Sequence, residues 1–185
     1  MRIVGGYLRG KKIFDSIDKS TRPLKDIVRE SIFNVLEHSK NESVDLKEAK
    51  VLDLFSGTGS FGIECLSRGA KKVVFFENYQ KSIEILIKNI EKLNLSLKSK
   101  VINKNAYNLK NSLTNYNNFD LIFIDPPYKE KNINQIIETI LKKKILNQNG
   151  ILIIHRHKKD NINITEKLRI IEDRTYGISR ILFGN

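Results

Sequence analysis

Residues 51–62, VLDLFSGTGSFG, are the stretch that decides the fold. A short, mostly apolar run, residues 51–55, leads into a glycine-rich turn. Strands that are buried on both faces, as in parallel sheets, have such near-continuous apolar runs. Gly57, Gly59 and Gly62 satisfy the pattern G-x-G-x-x-G, in which glycines let a nucleoside ligand approach the backbone closely. The stretch therefore predicts a strand, a ligand-binding loop and the start of a helix.

The chain beyond this stretch alternates short apolar runs with amphipathic segments, which is typical of βαβ units in a parallel sheet. The predicted strands are residues 51–55, 72–76, 101–102, 121–124 and 150–154, and helices are expected to end near Gly69 and to cover about 83–94, 107–115 and 132–143. Residues 168–172 and 178–183 leave no room for a crossover helix between them, so they predict an antiparallel hairpin. We therefore expect an α/β fold whose mostly parallel, seven-stranded sheet ends in a C-terminal antiparallel hairpin.

The composition is that of a globular protein with a polyanionic partner. The chain has 185 residues, 40% of them hydrophobic, and a formal net charge of +12. Strongly basic proteins commonly bind nucleic acid. A bias toward Lys, Asn and Ile also follows from AT-rich coding, so the placement of the charges matters more than their sum. No apolar run approaches the ~20 residues of a membrane span, and the missing secretory signal favours the cytoplasm.

Cysteine and histidine do not predict a metal site. Cys65 is the one cysteine and is expected to be a small buried hydrophobic residue. The charged run 155–159, HRHKK, follows a predicted strand, at the end of the sheet where open α/β folds bind ligands, so it is a candidate to face the substrate. It contains His155 and His157. They lack further His or Cys partners and are poor metal ligands.

Residues 1–48 are predicted to be an extension of the main domain, residues 49–185. The first 20 residues of this extension are expected to be extended or to form a small hairpin. They carry the basic run 9–12, RGKK, which is either a phosphate contact or a solvated face. A helix is predicted to begin at residues 21–23, TRP, and residues 39–48 are a polar linker. The buried face of this helix is predicted to carry Ile27, Val28, Ser31, Ile32, Val35 and Leu36, and its other face Lys25, Asp26, Arg29 and Glu30.

A second stretch, residues 119–128, FDLIFIDPPY, carries the chemistry. Its two prolines lack N–H groups and cannot continue a central strand, so backbone carbonyls there are left for a ligand. Asp125 beside a free carbonyl suits an amino group, and Tyr128 offers a face on which a planar ring stacks. The alternative is that the prolines only end the strand and that Asp125 caps a turn. The first interpretation predicts a site for an amino group on a base.

Two carboxylates flank the glycine loop. Glu77 ends the next strand about 20 residues after Gly57, where a dinucleotide site places the acid that binds ribose hydroxyls. Taken literally, this pattern predicts an NAD enzyme, and a purely structural turn is a further alternative. Asp53 would repel a pyrophosphate but suits S-adenosylmethionine, which carries a sulfonium and an ammonium group. We therefore expect methyl transfer rather than hydride transfer.

Several motifs together resemble a known family. The glycine loop with D-P-P-Y is similar to the S-adenosylmethionine-dependent amino-methyltransferases of nucleic acids. The N-terminal G-G-x-x-R-G-K-K, the segment T-R-P-x-x-D-x-V-R-E-S-I-F-N and the terminal Y-G hairpin resemble the RsmD family, which methylates the 2-amino group of a guanine in 16S ribosomal RNA. This resemblance implies a Rossmann-like methyltransferase fold and an RNA-binding role for residues 1–48.

The resemblance also implies a role for each motif. The residues implied in catalysis are Asp125, Pro126, Pro127 and Tyr128. The residues implied in cofactor binding are Asp53, Phe55, Ser56, Gly57, Thr58, Gly59, Glu77, Asn78, Asn105 and Ala106. The residues implied in gripping RNA phosphates are Arg9, Lys11, Lys12, Arg22 and Arg29. Asn105 stands where many relatives of the wider class have Asp, and residues 155–156, HR, stand where an acidic residue is expected.

The resulting prediction is a monomeric, cytoplasmic enzyme that methylates small-subunit ribosomal RNA, either naked or in the small ribosomal subunit. The alternatives are a DNA or other RNA amino-methyltransferase, a nicotinamide-dependent oxidoreductase and a non-catalytic RNA-binding protein. A chain of 185 residues leaves little room for a domain that reads DNA sequence.

Overall fold

The structure is a computed structural model that describes residues 1–15, 24–38, 44–113, 118–160 and 163–185. The predicted start of the first helix at residues 21–23, with the candidate phosphate contact Arg22, lies outside these ranges. So do residues 39–43 of the predicted linker and residues 114–117 at the end of the predicted helix 107–115.

Helices and strands alternate through the main part of the chain, as expected. The helices are α1 (Asp26–His38), α2 (Ser60–Ser67), α3 (Gln80–Lys92), α4 (Leu109–Ser112) and α5 (Ile133–Lys142), with single 3₁₀ turns at Ser96–Lys98 and Ala106–Asn108. The strands are β1 (Lys50–Leu54), β2 (Lys72–Glu77), β3 (Ser99–Asn103), β4 (Phe119–Ile124), β5 (Leu146–His157), β6 (Ile170–Tyr176) and β7 (Ser179–Gly184).

These strands form a single seven-stranded sheet in the order β3-β2-β1-β4-β5-β7-β6. In this order, each neighbouring pair among β3, β2, β1, β4 and β5 is parallel. Strand β7 is antiparallel to both of its neighbours, β5 and β6. The predicted fold class is confirmed. The strand order reverses between β1 and β4, and open α/β sheets bind their ligands at such a point, beyond the carboxyl ends of the strands.

The sheet is covered on both faces, and alternate residues of each strand pack on opposite sides. Val51, Phe75, Phe123 and Ile153 belong to a core cluster that also contains buried residues of α1, α2 and α3. We call this side the α2 face. Neighbouring strand residues form a second cluster with α4 and α5 on the other side, the α5 face. The two faces explain why the strands are apolar without alternation.

The N-terminal segment forms a small hairpin that is part of the α2-face core. An antiparallel bridge joins Arg2 and Lys12, and the hairpin contributes Ile3, Leu8 and Ile13 to the cluster. The two parts of the chain that we separated at residue 48 therefore share one hydrophobic core.

The buried face of α1 differs from the predicted one. Ile27 is 64% exposed, whereas Arg29 is fully buried. The buried residues are Val28, Arg29, Ile32, Phe33 and Leu36. Arg29 turns inward because a buried carboxylate, that of Glu64 in α2, lies opposite it at 3.5 Å. Helical periodicity could not reveal this, since an ion pair between distant segments leaves no periodic signal.

Candidate active site

Four titratable residues meet at the carboxyl edge of the sheet. Asp53 lies in β1, Glu77 ends β2, and Asp125 and His155 stand at the ends of β4 and β5. Each follows a core residue of the α2 face, such as Phe75 or Phe123, by two positions. Side chains two positions apart on a strand lie on the same face, so all four side chains leave the sheet on the α2 face. Residues from four separate segments of the chain thus line one side of the strand-order reversal.

The glycine loop has a backbone that only particular residues accept. Phe55, Gly57 and Gly59 have φ angles of 59, 53 and 88°, and a left-handed conformation at a residue with a side chain is a strained feature typical of functional sites. A Cβ at Gly59 would lie 2.3 Å from Cδ1 of Leu86, whereas a Cβ at Gly57 would meet nothing within 4 Å. Gly59 is thus required by packing, and Gly57 leaves open space above the loop.

Asp53 is a buried carboxylate directly under this loop. It is 1% exposed and accepts a hydrogen bond from the backbone N–H of Gly62 at 3.0 Å, in the first turn of α2. Burial raises the pKa of Asp53 well above its ordinary value, the Gly62 hydrogen bond opposes this rise, and the nearby negative charges of Asp125 and Glu77 add to it. Ionisation of Asp53 is therefore unfavourable in the free protein, and a cationic ligand beside the carboxylate would favour the ionised form.

Glu77 holds the loop against the end of β2. Its carboxylate accepts hydrogen bonds from the backbone N–H groups of Gly57, Asn78 and Tyr79, each at 2.8 Å. An ionised carboxylate accepts about four hydrogen bonds, so capacity is left for a ligand hydroxyl. The backbone N–H of Ser56 also reaches β2, donating to the Phe76 carbonyl at 3.0 Å. Glu77 fits the predicted role as the group that receives ribose hydroxyls.

The predicted adenine side of the site is the turn after β3. Ala106 is buried, and the side chain of Asn105 accepts a hydrogen bond from the backbone N–H of Tyr107 at 2.9 Å. The Tyr107 ring lies edge-on to Phe55, with ring centroids 6.4 Å apart. The side-chain oxygen of Asn105 is thus already used in part within its own turn. The contact between Phe55 and Tyr107 joins that turn to the glycine loop.

The D-P-P-Y segment leaves the sheet directly beside β1. The backbone N–H of Asp125 donates to the Leu54 carbonyl at 3.3 Å, and the Pro127 carbonyl accepts from the backbone N–H of Glu130 at 2.8 Å. No residue in the described ranges donates to the Pro126 carbonyl. The structure therefore leaves the Asp125 carboxylate and the Pro126 carbonyl as neighbouring acceptors, as the sequence predicted for an amino group.

Sequence reasoning placed His155 and Arg156 at the ligand-binding end of the sheet but gave them no role; both support this segment from β5. His155 is 5% exposed, and its Nδ1 lies 2.8 Å from Oδ1 of Asp125. Arg156 is 2% exposed and donates to the carbonyls of Pro127, Tyr128 and Glu130 at 3.4, 3.2 and 2.8 Å. The sequence indicated only that these two residues lie at the end of a parallel strand. It could not predict their hydrogen-bond partners.

Tyr128 lies against two imidazole rings. Its ring centroid is 6.1 Å from that of His155 and 5.2 Å from that of His157, and both ring pairs are nearly perpendicular. His155 and His157 lie two residues apart on β5 and therefore on the same face. They fix one side of the Tyr128 ring.

A third unpredicted residue, Asn89 of α3, links the glycine loop to the N-terminal hairpin. It is fully buried, and its amide nitrogen donates to the carbonyls of Thr58 and Phe14, each at 3.0 Å. Its amide oxygen accepts from the backbone N–H of Phe14 at 2.7 Å. The sequence feature that could have identified Asn89 is its position as a polar residue within the apolar stripe of α3.

The predicted RNA contacts divide into three groups. Arg9, Lys11 and Lys12 are exposed on the hairpin, whereas Arg22 lies outside the described residues. The prediction for Arg29 is wrong. Its side chain is fully buried, donates to Oδ1 of Asp26 at 2.9 Å and cannot reach a phosphate.

The described residues contain no group of three or more His, Cys, Asp or Glu side chains placed to hold a metal ion. In the same residues, no helix combines the length and apolar character that crossing a membrane requires.

Comparison with known proteins agrees with the geometry. A family model described as conserved hypothetical protein 95 matches residues 1–185. Ribosomal RNA small subunit methyltransferase D of Haemophilus influenzae is 31% identical over 179 residues, which cover 96% of this chain and 90% of that protein. The protein of the same name from Buchnera aphidicola subsp. Acyrthosiphon pisum is 32% identical and covers 86% of this chain and 80% of its own length.

Solved structures give the same fold over the whole chain. The Escherichia coli protein yhhF superposes with a TM-score of 0.84 at 23% identity, covering 100% of this chain and 96% of that one. The Haemophilus influenzae protein HI0767 superposes with a TM-score of 0.78 at 29% identity, covering 100% and 97%. The chain therefore belongs to the ribosomal RNA small subunit methyltransferase D family, as its motifs predicted, and is an S-adenosylmethionine-dependent methyltransferase.

Proposed function

We propose that this protein transfers a methyl group from S-adenosylmethionine to the exocyclic 2-amino group of a guanine in small-subunit (16S) ribosomal RNA. The observation that carries the proposal is the juxtaposition at one sheet edge of the acidic glycine loop with two neighbouring acceptors, the Asp125 carboxylate, one oxygen of which meets His155, and the Pro126 carbonyl. The relatives named ribosomal RNA small subunit methyltransferase D support the choice of RNA. The enzyme acts as a monomer in the cytoplasm in this proposal.

The residues around the glycine loop fit a cationic nucleoside cofactor. Asp53 and Glu77 have no cationic side chain paired with them in the described ranges, so their charge is available to the ammonium and sulfonium groups. Glu77 keeps acceptor capacity for the ribose, and the open space at Gly57 admits the ligand. The turn with Asn105 and Ala106 flanks the adenine.

The Asp125 carboxylate and the Pro126 carbonyl orient the amino group of the base. A guanine 2-amino group is a weak nucleophile because its lone pair is delocalised into the ring. Hydrogen bonds from its two N–H groups to these acceptors favour a more tetrahedral nitrogen whose lone pair points toward the methyl donor, and alignment of this kind contributes much of the rate in displacement reactions.

When bound, S-adenosylmethionine supplies a methyl group whose C–S bond breaks as the N–C bond forms, with the electron pair remaining on sulfur. The methylated amine is then cationic and loses one N–H proton. Asp125 is placed to take that proton because its carboxylate already accepts from the amine. The base must be unpaired or swung out of its stack to reach this pocket, and Tyr128 gives it a stacking surface.

The N-terminal residues 1–48 serve as the RNA-binding extension in this proposal. Arg9, Lys11 and Lys12 are exposed on the hairpin, and Asn89 connects the hairpin to Thr58 of the glycine loop. Positive charge placed this way binds phosphates and makes binding sensitive to salt.

The test uses Asp125→Ala, with Asp120→Ala at the opposite end of β4 as the matched control. Labelled methyl transfer is measured to naked 16S RNA, to small ribosomal subunits and to DNA, and binding of S-adenosylmethionine is measured by calorimetry. We expect Asp125→Ala to lower the rate by about 10²- to 10⁴-fold, the usual contribution of a positioned proton acceptor, while binding the cofactor. Near wild-type methylation by Asp125→Ala, or transfer to DNA in place of RNA, would contradict the proposal.

A further inference from the structure

Arg156 lies where the hydrogen-bond ladder between β4 and β5 has ended. The last pair of that ladder is Ile124–Ile154, while β5 continues to His157 beside β7. Residues 125–130, which we call the acceptor loop, turn away from the sheet at two prolines, and prolines have no N–H to donate. The side chain of Arg156 leaves β5 on the α5 face, as Ile154 does. The carbonyls of the acceptor loop therefore have a side chain, rather than a strand, beside them.

Three of these carbonyls converge on the Arg156 guanidinium. Nη1 donates to the Pro127 carbonyl at 3.4 Å, and Nη2 donates to the carbonyls of Tyr128 and Glu130 at 3.2 and 2.8 Å. The buried side chain is neutralised by Asp160, whose Oδ2 accepts from Nε at 2.7 Å. A guanidinium carries five N–H donors in a fixed planar fork. It can therefore hold several acceptors in one geometry.

These contacts restrict the Pro126 carbonyl, which is the second acceptor of the candidate site. Pro126 lies between two anchored residues: the N–H of Asp125 donates to β1, and the carbonyl of Pro127 accepts from Arg156. The pyrrolidine rings also fix φ at both prolines. The direction of the Pro126 carbonyl is therefore set by groups on either side of it.

The Tyr128 residue is held from both faces of the sheet. Its carbonyl accepts from Arg156 on the α5 face. Its ring lies against His155 and His157, which leave β5 on the α2 face. The end of β5 thus fixes both the backbone and the ring of the residue on which the base is expected to stack.

The far end of the acceptor loop reaches the turn on the cofactor side. Burial raises the pKa of Tyr107, its interaction with the Glu130 carboxylate adds to the rise, and the charge of Arg156 opposes it. These three side chains are therefore close neighbours. The Tyr107 ring in turn contacts Phe55 of the glycine loop. The acceptor loop is thus joined to β5 and to the loops that flank the cofactor in the proposed function.

We propose that Arg156 is a positioning residue for methyl transfer: by binding three carbonyls of the acceptor loop, it holds the Pro126 carbonyl and the Tyr128 ring in place relative to the methyl donor. This inference rests on the proposed function. An in-line displacement requires the amine and the methyl group in one alignment, and a misplacement of about 1 Å lowers the rate on the order of 10²-fold. Loss of the guanidinium should therefore slow the transfer step more than it weakens the binding of RNA or cofactor.

The test compares Arg156→Lys with Arg180→Lys as the matched control. Lysine keeps a positive charge for Asp160, but its single ammonium group cannot reproduce the fork that holds three carbonyls. Arg180 lies opposite Arg156 on β7 and donates instead to Asp173 on β6, at 2.7 Å. A second variant, Arg156→Met with Asp160→Asn, removes the buried charge together with its partner. It leaves no unpaired buried charge and so serves if Arg156→Lys is unstable.

Single-turnover methyl transfer is measured over a range of RNA concentrations, below the unfolding temperature of each variant, with the form of 16S RNA that the wild type methylates. Calorimetry gives the affinity for S-adenosylmethionine. We expect Arg156→Lys and the double variant to lower the maximal rate roughly 100-fold, with little change in the dissociation constants for RNA and cofactor. Arg180→Lys should keep the wild-type rate.

A wild-type maximal rate in either folded Arg156 variant would overturn the inference, as would an equal loss in Arg180→Lys or a loss confined to RNA affinity. Failure of both Arg156 variants to fold would also overturn it, because the guanidinium would then serve the fold as a whole. If the wild-type protein forms no N2-methylguanosine in 16S RNA, the proposed function itself is wrong, a result separate from any of these.

Discussion

Glu64 of α2 anchors the N-terminal hairpin through a buried network, and breaking it should destabilise the whole fold. Its carboxylate is fully buried and accepts from the backbone N–H groups of Val4 and Gly5 at 2.9 and 2.7 Å and from Nε of Arg68 at 3.0 Å. Nε of the fully buried Arg29 lies 3.5 Å away. Burial lowers the pKa of Arg29, while the charges of Glu64 and Asp26 oppose that effect.

The substitution Glu64→Gln keeps the size of the side chain but removes its charge. One carboxylate oxygen becomes an NH₂ group that faces donors, so at least one backbone N–H loses its acceptor. The buried charge of Arg29 then has only the partly exposed Asp26 carboxylate to neutralise it. Removing one member of a buried ion pair costs about 3–5 kcal/mol. At about 2–4 °C per kcal/mol for a chain of this size, Tm should fall by roughly 6–20 °C.

Thermal and denaturant unfolding provide the assay, with Glu37→Gln as the matched control. Glu37 pairs with the same Arg68, at 2.6 Å, but its side chain is 38% exposed. Exposed pairs contribute about 0.2–1 kcal/mol, so this variant should lose at most a few degrees. If Glu64→Gln unfolds within about 1 kcal/mol of Glu37→Gln, the buried network does not stabilise the protein and the reasoning is refuted.

Two further predictions concern cofactor and RNA. The raised pKa of Asp53 implies that the free protein loses stability as the pH rises from the ordinary aspartate value, about 4, through the raised one. Asp53→Asn should flatten that dependence in urea unfolding and weaken S-adenosylmethionine binding by about 10- to 150-fold, the loss of one charge-assisted contact; unchanged binding by calorimetry would remove Asp53 from the site. Replacing Arg9, Lys11 and Lys12 by Gln should reduce the slope of log affinity for 16S RNA against log salt by about 2. The same change at residues 142–144, KKK, should leave the slope unchanged, because these residues precede β5 at the amino edge of the sheet, away from the candidate active site. Equal slopes for the two variants would exclude the hairpin as the RNA contact.

Local patterns were sufficient for much of the fold and for part of the site. The strands are apolar runs because both faces of the sheet are covered, and the left-handed φ of 106° at Gly69 after α2 follows from the chemistry of glycine. Asp125 and Glu77 could be found because motif spacing places them at the ends of parallel strands. The buried face of α1 could not be predicted correctly, because the burial of Arg29 depends on Glu64, which is 35 residues away.

The sequence by itself determined the fold class, the glycine loop and the acceptor pair of the D-P-P-Y segment, because each depends on residues close together in the chain. Only the tertiary structure decided that His155 pairs with Asp125, that Arg156 holds the following loop, and that Asn89 joins the loop to the hairpin. These contacts join segments that are at least 26 residues apart. They depend on strand register and on which polar atoms are left unpaired when the two faces of the sheet close, and neither is written in any local pattern.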